Sequence, residues 1–255
     1  MAARNGRRSS NIIGRCAVWL LAACLLAGCG PGRSEAAKVV DPADYSAFFL
    51  WSGVEPPPAM DTAETAYILW GELRKGDAAR IIPLHRTPPA RSRTELWMVI
   101  RAERLDWQPS ARAQMSAQVE RWQRVSGITG VQIDFDSSTG RLGDYAAFLR
   151  SIRRELPAGL KLSAIGLMDW PANADEDALA AMRASLDEIV IQTYRETTTI
   201  ADYRRYLQSA DRLAMPYKIA LVEGGEWDEP AGIANDPDFR GYVVFLLPQK
   251  RVQNP

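Results

Sequence analysis

The chain has 255 residues, 47% hydrophobic and 24% charged, with 31 basic and 31 acidic side chains and a net charge of zero. These proportions belong to an ordinary folded domain and exclude a disulfide-stapled mini-protein, a disordered tail and a polytopic membrane protein. The charge balance gives no reason to expect nucleic acid as a partner, and a single histidine, His85, excludes a metal site built on several histidines.

The first element in chain order is an address. Residues 1–28 carry Arg4, Arg7, Arg8 and Arg15 with no acid, followed by an apolar run from Cys16 to Ala27. A basic head and an apolar stretch too short for a typical spanning helix make an export signal. It closes on Leu26-Ala27-Gly28-Cys29, which resembles the lipobox of bacterial lipoproteins. The resemblance implies cleavage before Cys29, lipidation of Cys29 by palmitate or a similar chain, and anchoring to a lipid bilayer. Gly30 stands where a retention aspartate would, which favours the outer membrane of the bacterial envelope, facing the periplasm. Residues 29–44 then read as the lipidated cysteine and a tether, and residues 45–255 as the folded domain. All three cysteines, Cys16, Cys24 and Cys29, lie at or before the anchor. The domain therefore has no disulfide, although its export route would permit one. Losing four arginines leaves a mature charge of −4.

From residue 45 short apolar runs alternate with amphipathic stretches. The runs are 47–52, 66–73, 80–84, 96–101, 128–136, 160–168, 188–194, 217–223 and 242–247. Most lack clean alternation, as strands buried on both faces do. Helices are predicted from Ser110 as cap to Val125, from Asp144 as cap through Tyr145–Leu156, over Asp175–Leu186 and over Ile200–Leu213. Strands alternating with helices predict parallel βαβ units and a (β/α)8 TIM-type barrel. Nine runs are one too many, and Arg74-Lys75-Gly76-Asp77 looks like a hairpin turn joining 66–73 to 80–84; one of that pair is an excursion. Too little chain follows Leu247 for a full last helix, so the barrel is either open there or closed by the N-terminal segment.

Function in such a barrel sits at the carboxyl ends of the strands. That rim collects Trp51, Glu72, Asp134, Asp136, Asp169, Trp170, Gln192, Tyr194 and Glu223. Within Gly127-Ile-Thr-Gly-Val-Gln-Ile-Asp-Phe-Asp136 the two-residue period puts Gln132, Asp134 and Asp136 on one face. Two carboxylates about 6–7 Å apart along a strand raise one pKa, and the raised group becomes a general acid. His85 reads as an incidental loop residue.

This segment resembles the fourth strand of family-18 glycoside hydrolases, with its Gly-x-x-Gly-x-Asp-x-Asp-x-Glu pattern. Gln132 takes the place of the first Asp, Asp134 the second and Asp136 the catalytic Glu. Gln192-Thr193-Tyr194 resembles the Met/Gln-x-Tyr element of the sixth strand. There the tyrosine helps hold the substrate acetamido group. Two departures matter: Asp136 is about 1.5 Å shorter than Glu, and Gln132 removes a charge. The chain, through FFLW, AYILWGEL, the DFDSST loop and IQTYR, also resembles the bacterial domain-of-unknown-function family 3142. The resemblances imply binding or hydrolysis of an envelope or extracellular glycan and no cofactor. Asp136 is the expected proton donor, Asp134 tunes it, and Gln132, Gln192, Tyr194, Glu72, Glu223, Asp169, Trp170 and Trp51 contact the sugar. The alternative is a non-catalytic glycan-binding or envelope-assembly lipoprotein on the same barrel.

Overall fold

A computed structural model describes residues 37–248; the export signal, Cys29 and the tether up to residue 36 lie outside them. Eight parallel strands run in sequential order: β1 Ala47–Leu50, β2 Thr65–Leu73, β3 Glu95–Ala102, β4 Gly130–Asp134, β5 Lys161–Leu167, β6 Glu188–Gln192, β7 Tyr217–Val222 and β8 Phe239–Phe245. β8 pairs with β1 through Val244↔Phe48 and Phe245↔Phe49, and β1 pairs with β2, so the sheet closes on itself. The architecture is a (β/α)8-type barrel. Its strands bury both faces. Phe49, Tyr67, Leu69, Val99 and Val190 fill the interior, while Phe48, Ile68, Met98, Val131 and Ile189 face the outer layer. That double burial is why these segments read as continuous apolar runs.

The ninth run is the excursion. Ile82–Pro83 lies antiparallel to the end of β2, with Gly71↔Pro83 and Glu72↔Ile82, and Asp77 N–H closes the turn on the Arg74 carbonyl. Gly71 is required at this crossing, because a β-carbon there would sit 2.8 Å from the Ile81 side chain and 3.0 Å from the Ile82 carbonyl oxygen.

Among the described residues, α-helices follow only β3 to β6. They are α1 Pro109–Val125, α2 Leu142–Glu155, α3 Trp170–Asn173, α4 Glu176–Arg183 and α5 Tyr203–Leu207. α1 buries Ala111, Met115, Val119 and Trp122 along one stripe and ends at Gly127, which adopts φ +67°. Its first turn is set by Pro109 rather than by the expected Ser110 cap; the Ser110 hydroxyl donates to the Ala79 carbonyl instead. Asp144 likewise sits inside the first turn of α2, where its charge favours the helix dipole, not at the cap. Asp175 does cap, accepting from Ala178 N–H at 2.8 Å. The stretch expected as one helix over 200–213 divides into α5 and a 3-10 turn, Ala210–Leu213, that ends on left-handed Ala214.

Residues 37–44, read above as tether, are built into the barrel. Lys38–Val39 pairs antiparallel with Glu226–Trp227 in the loop after β7. Val40 is 3% exposed and is bonded through its N–H to Gly225 O and through its O to Gly224 N. The chain then passes a 3-10 turn, Pro42–Asp44, and packs Tyr45 edge-on against Tyr242 before entering β1. This strap crosses from the carboxyl rim to the amino end of the barrel. It lies beside the β8–β1 seam, which has no following helix among the described residues.

The seam is the joint with two paired positions, against eight between β2 and β3. Amide exchange of Phe245 and Leu246 is expected to outpace that of Val99 and Ile100, because opening a thin seam costs least. Equal protection would refute this.

At the amino end, charges enter the interior. The Tyr67 hydroxyl donates to Glu188 at 2.5 Å and accepts from Lys218 Nζ at 3.0 Å, with Lys218 and Glu188 3.6 Å apart. The triad floors the barrel.

Candidate functional site

A bulge organises the opposite, carboxyl-end mouth. The β2–β3 register slips between Leu69 and Gly71, so Glu72 lies beside Arg101 and Arg101 beside Asp134. Tyr67 and Leu69 point inward; after the bulge Leu73 points to the outer core, which turns Glu72 to the mouth. Three charged residues on three adjacent strands therefore share one level. Arg74 Nε holds Glu72 at 3.1 Å.

Asp134, at the end of β4, is 6% exposed, whereas Asp136, two residues on, is exposed. Below them Gln132 is wholly buried. Its Nε2 donates to the Ser163 hydroxyl at 2.9 Å, and its Oε1 has no partner among the described residues. Behind β4, Tyr145 donates to the Ile133 carbonyl at 2.9 Å and fixes the backbone immediately before Asp134.

The facing wall is aromatic. Phe245 lies 5.3 Å from both Trp51 and Tyr194, edge-on to the first and stacked with the second. The Arg101 guanidinium sits over the Trp51 ring, 5.1 Å from its centroid, so that ring face holds a cation rather than standing open for a sugar. Gln192 Nε2 donates to the Tyr194 carbonyl at 2.7 Å and shapes the turn that presents the tyrosine. Glu223 accepts from Leu247 N–H at 2.8 Å, tying β7 to the end of β8.

Burial raises the Asp134 carboxyl to about 7; Arg101 pulls it down, and Asp136 and Glu72 push it up. Tyr194 is raised well above the usual phenol range, first by burial, then by the charge of Asp134, with Arg101 opposing. Tyr145 is raised by burial and by the same two aspartates. The barrel mouth thus holds one carboxyl that takes up a proton near neutrality and a second, exposed carboxyl two residues further along the chain.

The structure brings together Trp51, Glu72, Gln132, Asp134, Asp136, Gln192, Tyr194 and Glu223 at or just below one rim. Trp170 stands apart. It opens α3, is fully buried, packs against Tyr145 and Gly166, and donates from Nε1 to the Ser137 carbonyl. It braces the Asp136 loop from behind. Asp169 precedes it as the half-buried cap residue of α3. Arg101 and Phe245 are part of the site and were not among the expected sugar contacts. Alternation along 241–247 carries the signal for Phe245, and Arg101 is placed at the rim by its position at the end of the 96–101 run. Among the described residues no group of three His, Cys, Asp or Glu side chains is arranged to hold a metal ion.

The profile of the family described as "Domain of unknown function (DUF3142)" matches residues 95–225. The chain belongs to this family. The DUF3142 match runs from β3 to just beyond β7 and so includes Arg101, Asp134, Asp136, Tyr194 and Glu223, while Trp51, Glu72 and Phe245 fall outside it. Among solved structures, the DUF3142 chain is similar to the Bacillus cereus spore cortex-lytic enzyme SleL, at 16% identity and a TM-score of 0.51, over 74% of this chain and 51% of that one. It is also similar to the class V chitinase from Nicotiana tobaccum, at 12% identity and a TM-score of 0.49, over 69% of this chain and 66% of that one. A third is the chitinase domain of the spore coat protein CotE from Clostridium difficile, at 11% identity and a TM-score of 0.43, over 75% and 67%. The chain thus spans about half the length of SleL. The likeness to SleL is one of fold, a (β/α)8-type barrel. No curated protein matches the chain by sequence.

Proposed function

We propose that this DUF3142 protein is a lipid-anchored protein of the bacterial envelope, held through Cys29 in the outer membrane and facing the periplasm, whose barrel mouth hydrolyses a glycan. Asp136, exposed at the rim, delivers to the glycosidic oxygen a proton drawn from the raised carboxyl of Asp134, as the bond from that oxygen to the anomeric carbon breaks and water adds to the carbon. Asp134, buried beneath it, holds a proton near pH 7 and limits the negative charge beside the donor. Tyr194, Gln192, Glu72 and Glu223 position the sugar, and Trp51 sets the place of Arg101. The observation that carries this reading is the divergent pair at the end of β4, one carboxyl buried and raised to about 7 and the other, two residues on, open to solvent. Environments that push two carboxyls apart create acid and base roles.

Reducing-end release from a panel of envelope and extracellular glycans tests the reading. Asp136→Asn is expected to lower release by roughly a hundredfold or more, the scale on which general acids act, with an unchanged melting curve. Full activity in that variant would sink the assignment. The short side chain of Asp136 favours a second reading, glycan binding without cleavage, since a donor misplaced by about 1 Å costs on the order of a hundredfold. Glycan retention with no release by the wild type would select it.

A further inference from the structure

We propose that Arg101 is a specificity residue of the barrel mouth, and that the glycan it serves carries a sugar carboxylate which the guanidinium grips. This rests on the glycan reading of the site and names the class of glycan. Six arginines and lysines are half-buried among the described residues. Arg104, Arg112, Arg153, Arg183 and Lys218 each hold a carboxylate in an ion pair. Arg101 is the sixth, and its side chain forms no ion pair and no hydrogen bond among the described residues. A cation drawn out of water without a partner is costly, and here two carboxyls stand beside it in register, Glu72 and Asp134. Neither clasps it. Glu72 is held by Arg74 Nε at 3.1 Å, and Asp134 is buried and keeps its proton up to about pH 7. The Trp51 ring, with its centroid 5.1 Å from the guanidinium carbon, fixes where the cation stands but supplies no oxygen to its five N–H donors.

That planar fork fits the two oxygens of a carboxylate side by side. The rest of the mouth sets how much charge the ligand brings. Asp136 and Glu223 lie at the same rim, so a doubly charged group such as a phosphate meets more repulsion than one guanidinium offsets, whereas a single carboxylate matches it. The same two carboxyls repel an anion seated anywhere else, so the mouth selects the position of the acid on the sugar as well as its presence. A neutral sugar offers the fork hydroxyl and carbonyl oxygens but leaves the cation without a counter-charge.

Matched glycan pairs test the assignment. Peptide-free peptidoglycan strands, hyaluronan fragments and polygalacturonate fragments are each prepared as the acid and with the carboxyls reduced to alcohols, and neutral N-acetylglucosamine oligomers complete the panel. Each is titrated against the full-length protein in detergent, and KM is measured wherever release occurs. The wild type is expected to bind the acid form of at least one pair about tenfold or more tighter than its reduced form, the scale of a charge-assisted bidentate bond. Arg101→Gln is expected to lose that preference while binding the reduced form as before. Arg101→Lys keeps the charge without the fork and is expected to retain only part of it. A purely bracing role for Arg101 would weaken both forms alike and so overturns the assignment. Equal binding of both members of every pair by the wild type, or a preference that survives in Arg101→Gln, also overturns it and leaves the glycan reading standing. Binding and release of no glycan in the panel sinks the glycan reading and the carboxylate with it.

Discussion

Asp134→Asn is expected to make the protein more stable at pH 8, by an amount on the order of 4 kcal/mol, and to change little at pH 4. The sign follows from the direction of the shift. An unfolded aspartate titrates near 3.9, while Asp134 in the folded barrel titrates at about 7, chiefly because it is buried. Below pH 4 both states hold the proton and burial of the carboxyl has no ionic penalty. As pH rises toward 7 the unfolded chain ionises first, so folding loses stability over that window and then levels off. An amide cannot ionise, so the variant loses this slope. Arg101 keeps Glu72 as a neighbour in register, and the substitution does not strand a cation alone. Urea denaturation from pH 4 to 8 supplies the comparison. Parallel stability curves for wild type and variant would mean that Asp134 is ionised throughout and that Asp136 stands beside a fixed charge.

Lys218→Met is expected to cost about 3–5 kcal/mol, the usual penalty for removing one partner of a buried ion pair. Lys218 and Glu188 have side chains only 12% and 11% exposed, and both meet at the Tyr67 hydroxyl. Methionine fills the volume of the lysine stem but leaves Glu188 with the phenol as its one bonded side-chain partner. The double variant Lys218→Met, Glu188→Leu is expected to recover most of the loss, since an apolar replacement of the whole pair is often neutral. Chemical denaturation of both variants checks the claim. A single variant within about 0.5 kcal/mol of wild type, the range of an ordinary surface substitution, would show that water reaches the triad freely.

The barrel was legible because its strands are buried on both faces, and the excursion because Arg74–Asp77 reads as a turn. Alternation correctly put Gln132 and Asp134 on the inner face of β4. Three features were not legible, each for a physical reason. The strap contains one deeply buried apolar residue, Val40, beside an exposed one, Val39, too short a pattern to read as a strand, and its partners lie nearly two hundred residues away. Trp170 falls at a strand end in the sequence, yet α3 begins at that residue and turns the indole onto Gly166. Trp51 reads as a free aromatic face until Arg101, on another strand, is seen to cover it. The Asp134 carboxyl is raised first by burial, with the charge of Asp136 a lesser cause, so alternation along the strand did not reveal it.

The bulge in β2 has a consequence for comparing this protein with its relatives. It acts as a one-residue phase change: the strand is apolar toward the interior below it and presents a carboxylate above it, with Trp70 and Leu73 both kept in the outer core. Straightening the strand with every residue kept would turn Glu72 outward and put Leu73 at the mouth, whereas deleting Gly71 would keep Glu72 two positions after Leu69 and still inward. The charge of this site is therefore fixed by a backbone count as well as by residue identity. An ungapped alignment across β2 would place Glu72 opposite the wrong residue in any relative with a straight strand.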